Sequence, residues 1–178
     1  MRRDPIQMHS YDPSWPLSFE HEASRLTEAL EPWLVEPIEH IGSTAVPGMV
    51  AKPIIDIVAV VTDIDAAAFA SEPLARAGWV AAPEPGDAAL RKLSFCTPSV
   101  ALRTHHLHVV EQTSSGWRGW IAFRDYLRRH PASAVEYGEL KQRLADSHGS
   151  DPNQRDAYRA GKAAWVAATT EAALNESA

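Results

Sequence analysis

The chain has 178 residues, 45% of them hydrophobic, and a net charge of -6. This length and hydrophobic content are enough for one substantial core, so we expect a single domain over residues 1–178. The acidic balance makes bulk nucleic acid an unfavourable partner, and a single cysteine, Cys96, excludes an internal disulfide and fits a reducing compartment. No segment approaches the roughly 18 apolar residues of a membrane span, so we predict a cytoplasmic protein that does not act at a membrane.

The first two thirds of the chain alternate helical and strand patterns. Apolar residues at helical spacing predict a helix over about residues 14–31, and VEPIEHI predicts a short strand after it. The β-branched run PIIDIVAVV predicts a second strand, buried on both faces. IDAAAFASEPLARAG predicts a helix that ends at Gly78, and GWVAA, LRKLSF and HHLHVVE predict three further strands. This part of the chain is therefore mixed α and β.

The last third of the chain is helical in pattern. WRGWIAFRDYLRRH, ASAVEYGELKQRLADS and NQRDAYRAGKAAWVAATTEAAL each carry helical periodicity, with Pro131 and HGSDP between them. We interpret residues 116–172 as a C-terminal helical segment of the same domain.

A Gly-Ser-Thr turn follows the first predicted strand. Gly42 allows the backbone to come close to a ligand, and successive N–H groups with the Ser43 and Thr44 hydroxyls can hold phosphate oxygens. A plain turn is the alternative interpretation of the same three residues. The turn alone therefore leaves a phosphate site open.

Three basic residues lie near the predicted strand ends. Lys52, ten residues after Gly42, could supply a cation for a triphosphate. Arg91 and Arg103 flank neighbouring strands and are predicted phosphate contacts. Ordinary solvation at the surface is the alternative for all three.

Asp56 interrupts the apolar run of the second strand. Burying an unpaired carboxylate is costly, so Asp56 requires a partner or a metal ion. Strand alternation places Asp56 and Val58 on the same side, where a second carboxylate would have lain beside the first. Valine at that position provides no ligand.

The segment THHLHVVE places three histidines on one predicted strand. His106 and His108 share one face, and His105 lies on the other. Two histidines at this spacing can bind a metal ion together, or one can act as an acid/base or as a donor to phosphate. Packing is the alternative, which we favour for His105, whereas the position of His108 within an apolar run favours a role in a site.

Four stretches together resemble the GrpB family, a branch of the nucleotidyltransferase-fold superfamily: HIGSTAVPGMVAKPIIDIVAVV, HHLHVV, FRDYLRRHPASAVEYGELKQRLA and DAYRAGKAAWV. The resemblance runs from about Tyr11 to Ala172. It implies an α/β (α+β) fold, a small mixed sheet with packed helices like the polymerase-β-type core, with a C-terminal helical segment. Some family members resemble the C-terminal part of dephospho-coenzyme A kinase fusions, but no P-loop Gly-x-x-x-x-Gly-Lys occurs here, so kinase activity is not implied.

The resemblance also implies where the superfamily's site would fall. Its Gly-Ser maps to Gly42 and Ser43, and the first carboxylate of its Asp-x-Asp pair maps to Asp56. The second maps to Val58, and the third acidic position falls in HHLHVV, where His108 takes its place. In the two-metal mechanism paired carboxylates bridge two Mg²⁺ ions, so Val58 is a departure from the pattern.

The metal that the resemblance implies is divalent, Mg²⁺ or Mn²⁺, with Asp56, His106 and His108 as its ligands. Mg²⁺ prefers oxygen ligands, whereas an aspartate with histidines suits Mn²⁺ or Zn²⁺, or a weakly held Mg²⁺ completed by triphosphate oxygens. The superfamily transfers a nucleotide monophosphate from a nucleoside triphosphate to a hydroxyl or other acceptor.

We therefore expect a nucleotidyltransferase-like enzyme that acts on an unidentified small-molecule acceptor. Asp56 and His108 are its predicted catalytic residues, and Gly42, Ser43, Thr44, Lys52, Arg91 and Arg103 its predicted nucleotide and phosphate contacts. One alternative is a nucleotide-binding or sensing module without turnover, which the valine beside Asp56 favours. Others are a structural interaction domain, a metal-dependent hydrolase that uses the histidines, and, for the oligomeric state, a homodimer.

Overall fold

A computed structural model describes residues 6–176; residues 1–5 and 177–178 of the predicted domain lie outside the described residues. Its sheet has five strands in the order β1-β2-β5-β4-β3. Only β2 and β5 pair in parallel, and the other neighbours are antiparallel. All five predicted strands are confirmed: β1 Glu39–Ile41, β2 Ile55–Val61, β3 Val80–Ala81, β4 Lys92–Pro98 and β5 Arg103–Glu111.

The helices follow the predicted order, with one difference. They are α1 Trp15–Leu30, α2 Ile64–Ala67, α3 Ser71–Arg76, α4 Gly116–Arg129, α5 Pro131–His148 and α6 Arg155–Glu176. The single helix predicted before Gly78 is divided into α2, a 3₁₀ turn and α3. Pro73 has no backbone N–H, so it cannot make the i to i−4 hydrogen bond that a continuous helix would need there.

Helices cover both faces of the sheet. On one face α1, α2 and α3 pack against alternate residues of β2 and β5, among them Ile55, Ile57, Ala59, Leu107 and Val109. On the other face α4 packs against Ile41, Val58, Val60 and Val110, and α5 and α6 pack against α4. Burial of a valine or isoleucine side chain contributes about 1.5–3 kcal/mol, which explains why β2 is apolar on both faces.

The parallel pairing of β2 with β5 positions the chemistry. Asp56 lies directly beside His106, and Val58 lies beside His108. These four residues share the face that α4, α5 and α6 cover, as the alternation predicts. His105 points to the opposite face, where its Nε2 lies 3.0 Å from the Ser18 hydroxyl of α1.

Within residues 6–176, no helix is both long enough and apolar enough to cross a membrane.

Candidate functional site

The turn after β1 brings the backbone against the carboxylate of Asp56. Gly42 has φ +73°, a conformation that L side chains rarely adopt, and a Cβ atom there would lie 2.6 Å from Oδ2 of Asp56. A 3₁₀ turn, Ser43–Ala45, follows immediately. Gly42 is therefore required both by its own backbone and by the carboxylate beside it.

The two hydroxyls of this turn have different surroundings. Ser43 lines a polar cavity, and its Oγ accepts a hydrogen bond of 2.8 Å from Nζ of Lys141 on α5. Thr44 is buried, and its hydroxyl donates to the Ile54 carbonyl at 3.1 Å while it lies 2.9 Å from Nε2 of His40. Ser43 thus faces the cavity with its hydroxyl, whereas the Thr44 hydroxyl holds the turn against the start of β2.

Asp56, His106 and His108 form one cluster. Each offers a ligand atom, and the three atoms lie within 4.8 Å of one another. Oδ1 of Asp56 lies 3.5 Å from Nδ1 of His106, and the two imidazole rings lie 4.1 Å apart between centroids. The structure therefore brings together the three residues that the sequence predicts as metal ligands.

The electrostatics of the cluster favour a charged carboxylate and a neutral imidazole. Burial opposes ionisation of Asp56, but its interaction with His106 and the nearby His108 and Lys52 lower its pKa to about 2. Burial, reinforced by His106 and Lys92, holds the pKa of His108 well below its usual value. An ionised carboxylate and a neutral imidazole are the forms that bind metal ions.

The cluster fits a divalent cation in its donor chemistry. Oxygen and imidazole nitrogen together suit Mn²⁺ or Zn²⁺, and fit Mg²⁺ when phosphate oxygens complete its ligands. Nε2 of His106 is a buried nitrogen with no hydrogen-bond partner among the described residues, although the carboxylate of Glu84 lies 3.7 Å away. An unsatisfied buried imidazole nitrogen in a cluster of this kind is typical of a metal or ligand site.

A polar cavity of about 130 Å³ lies on one side of Asp56. Three lysines line it, Lys52, Lys141 and Lys162, against Asp56 as the one acidic residue among its lining side chains. Lys141 is 2% exposed, and burial together with Lys162 and Lys52 lowers its pKa to about 7. The cavity is thus a concentrated positive pocket in an acidic protein, which favours a multiply charged anion.

A second, larger cavity of about 440 Å³ shares Asp56 and His106 with the first. Its volume is in the range of small-molecule sites. Trp120 and Phe123 of α4 form part of its wall, and Glu84 lies on the opposite side. The Asp56 cluster therefore stands between a basic cavity and a mixed aromatic one.

The two predicted arginines lie outside these cavities. Arg91 pairs with Glu111 at 2.6 Å and with Asp65 at 3.1 Å. Glu111 is five residues beyond His106 on β5, about 16 Å along the strand, so Arg91 is far from the cluster. Arg103 is buried beside the site, with its guanidinium 3.8 Å from Glu84. Neither position supports direct contact with a ligand on Asp56.

Four charged residues of the site were not predicted. Lys141 and Lys162 come from α5 and α6, while Glu84 and Lys92 come from the β3–β4 connection and the start of β4. Lys141 follows Tyr137 by one helical turn, on the face that packs against the domain. A lysine on the apolar stripe of a helix is the signal that could have identified it.

The fold and site together define a mixed α/β domain of the nucleotidyltransferase-like class, with a Gly-Ser turn packed on an aspartate of the adjacent strand. The predicted fold class is therefore confirmed. A family model described as GrpB protein matches residues 5–172, so the chain belongs to the GrpB family, as the sequence predicts.

Known proteins resemble the chain over most of its length. UPF0157 protein YqkA of Bacillus subtilis is 36% identical over 93% of this chain and 46% of its own length. UPF0157 protein PA4798 of Pseudomonas aeruginosa is 38% identical over 92% of this chain and 66% of its own length. The chain thus spans about half to two thirds of these relatives. The crystal structure of the conserved protein GrpB from Enterococcus faecalis superposes with a TM-score of 0.83 at 33% identity, covering 96% of this chain and 98% of that one.

Proposed function

We propose that this protein binds a nucleoside triphosphate with a divalent cation and transfers the nucleotide monophosphate to a small-molecule acceptor. The observation that carries the proposal is the position of Asp56, between the two histidines of β5 and a cavity lined by three lysines. A triphosphate with its cation matches both halves of this arrangement, because the phosphates need positive charge and the cation needs a carboxylate.

The residues of the chain would divide the work as follows. Lys141, Lys52 and Lys162 would hold the phosphates, and the Ser43 hydroxyl, which accepts from Lys141, keeps its own hydrogen for a phosphate oxygen. A divalent cation, with Asp56, His106 and His108 as its available ligands, would neutralise charge on the reacting phosphate. The larger cavity beside Trp120 would take the nucleoside or the acceptor.

The transfer itself is an in-line displacement. The acceptor oxygen forms a bond to the α-phosphorus while the bond to the bridging oxygen breaks. Pyrophosphate leaves, and the acceptor's proton passes to solvent. The lysines around Ser43 would stabilise the charge that develops on the leaving pyrophosphate.

A second candidate is a nucleotide-binding module without turnover. Val58 is fully buried in the cluster with Ile41, Val60 and Trp117, so it occupies with a packed methyl surface the place of a second carboxylate. A site with one carboxylate can hold one cation more readily than two. This observation favours binding over catalysis, and turnover separates the two candidates.

Calorimetric titration tests the proposal. ATP, CTP, GTP and UTP are titrated with Mg²⁺ or Mn²⁺ into the wild-type protein, Asp56→Asn and Asp65→Asn. We expect at least one nucleotide to bind, at least tenfold loss of affinity in Asp56→Asn, and wild-type affinity in the control, since Asp65 is exposed and pairs with Arg91. All three proteins should have similar melting temperatures.

The outcomes separate the alternatives. Pyrophosphate release with any member of an acceptor panel supports transfer, whereas binding without release supports the module without turnover. No nucleotide binding under any condition would exclude both and leave an interaction domain.

A further inference from the structure

The β3–β4 connection brings one charged side chain to each histidine of the cluster. Glu84 lies 3.7 Å from Nε2 of His106, and Lys92, the first residue of β4, lies 3.2 Å from Nδ1 of His108. Asp87 fixes both: its Oδ2 accepts from the Glu84 backbone N–H at 2.9 Å, and its Oδ1 lies 3.0 Å from Nζ of Lys92. The two histidines therefore have opposite electrostatic neighbours.

Lys92 determines where His108 carries its proton. An ammonium group has donors only, so Nδ1 of His108 must present its lone pair at this 3.2 Å contact. In a neutral imidazole the hydrogen is then on Nε2. Lys92 has an exposed side-chain fraction of 6%, and Asp87 holds it from the other side, so the contact is built into the fold.

His106 has the reverse arrangement. Its buried Nε2 faces the carboxylate of Glu84, while Nδ1 faces Oδ1 of Asp56 at 3.5 Å. A hydrogen on Nε2 directed at Glu84 leaves the lone pair of Nδ1 toward Asp56. A carboxylate behind the non-ligating nitrogen is the usual support of a histidine that binds a metal.

We propose that the two histidines have different roles: His106 binds the cation through Nδ1, with Glu84 as its positioning residue, and His108 donates from Nε2 to a phosphate oxygen. This assignment rests on the proposed function and narrows its ligand set. Asp56 and His106 are then the protein's ligands to the cation, and phosphate oxygens supply others. The donor at His108 takes part of the charge that a second cation neutralises in a two-carboxylate site.

Long-range ¹H–¹⁵N spectra of the imidazoles test the assignment directly, with Zn²⁺ as the diamagnetic probe. In the metal-free wild-type protein we expect His108 as the Nε2–H tautomer, and Lys92→Met should release that preference. On addition of Zn²⁺ the Nδ1 signal of His106 should move to the metal-bound region while the tautomer of His108 is unchanged. Variants His106→Gln and His108→Gln assign the signals.

Zn²⁺ affinity provides the second readout. Glu84→Gln, which keeps the side-chain shape, and His106→Gln should each weaken Zn²⁺ binding at least tenfold, whereas His108→Gln should change it less than threefold. His108→Gln should instead weaken nucleotide binding at saturating metal at least tenfold.

Three results would overturn the assignment. They are Zn²⁺ coordination by His108, an Nδ1–H tautomer at His108, and unchanged Zn²⁺ affinity in Glu84→Gln. With nucleotide binding still dependent on the metal, any of these leaves the proposed function standing and removes only the division of roles. A wild-type protein that binds no divalent ion would overturn both.

Discussion

Gly42 and Asp56 are matched in space, because a Cβ atom on residue 42 would lie 2.6 Å from Oδ2 of Asp56. Gly42→Ala therefore meets both backbone strain at φ +73° and a clash with the carboxylate. We expect a loss of about 2–4 kcal/mol in the free energy of unfolding, measured in urea, together with weaker metal binding.

Gly48→Ala is the matched control for that prediction. Gly48 also has a positive φ, +76°, but its Cβ would meet nothing within 4 Å. It should lose only about 1 kcal/mol and keep metal affinity. Equal effects in the two variants would show that the contact with Asp56 has no role.

Val58→Asp should not restore a second metal ligand. Val58 is 0% exposed and packs in the cluster under α4, so the new carboxylate would be buried among apolar side chains. We expect the free energy of unfolding to fall by about 4 kcal/mol, without recovery in millimolar Mn²⁺. Val58→Thr, nearly the same size, should lose about 1–2 kcal/mol. A folded Val58→Asp protein that binds two metal ions would contradict the prediction.

Lys141 makes stability depend on alkaline pH. Its pKa is about 7 in the folded protein against 10.5 for an ordinary lysine, so between these values the unfolded chain binds more protons than the folded one. Stability from this group therefore rises with pH over that window and is constant below pH 7. Denaturation at pH 6 and pH 9 should show a gain for the wild-type protein relative to Lys141→Met; a pH-independent difference would contradict it.

The same lysine should take up a proton when an anion binds. At pH 8 Lys141 is mostly neutral in the free protein, and a phosphate beside it favours the charged form. Calorimetry in buffers of different ionisation enthalpy should show close to one proton more taken up per nucleotide by the wild-type protein than by Lys141→Met. Equal uptake by the two proteins would place the phosphates elsewhere.

Arg124 connects α4 to the strand that leads into the glycine turn. The buried guanidinium donates to the His40 carbonyl at 2.8 Å and pairs with Glu39 and Asp125. Arg124→Met removes the cation and leaves these acceptors, so we expect a loss of about 3 kcal/mol by chemical denaturation. Arg118→Met, an exposed change on the same helix, should cost less than about 0.5 kcal/mol. Similar losses would mean that the buried pairs contribute nothing.

Local patterns were sufficient to predict the strands, most of the helices and the shared face of His106 and His108. They could not give the register of β2 against β5, which depends on packing between segments fifty residues apart and sets Asp56 beside His106. The lysines of α5 and α6 were missed for the same reason, since a helix's own periodicity does not indicate which cavity it closes. The prediction for Arg91 relied on closeness in sequence to a strand, and it lies at the other end of that strand.

The polar cavity has walls from two parts of the chain. Ser43 and Asp56 belong to the sheet region, whereas Lys141, Tyr158 and Lys162 belong to the C-terminal helices. Any anion held there joins the two parts by its own contacts, so its binding free energy is also cohesion between them. A ligand for this cavity would therefore slow the opening of the helices from the sheet, and amide hydrogen exchange along α5 would register its presence even without turnover.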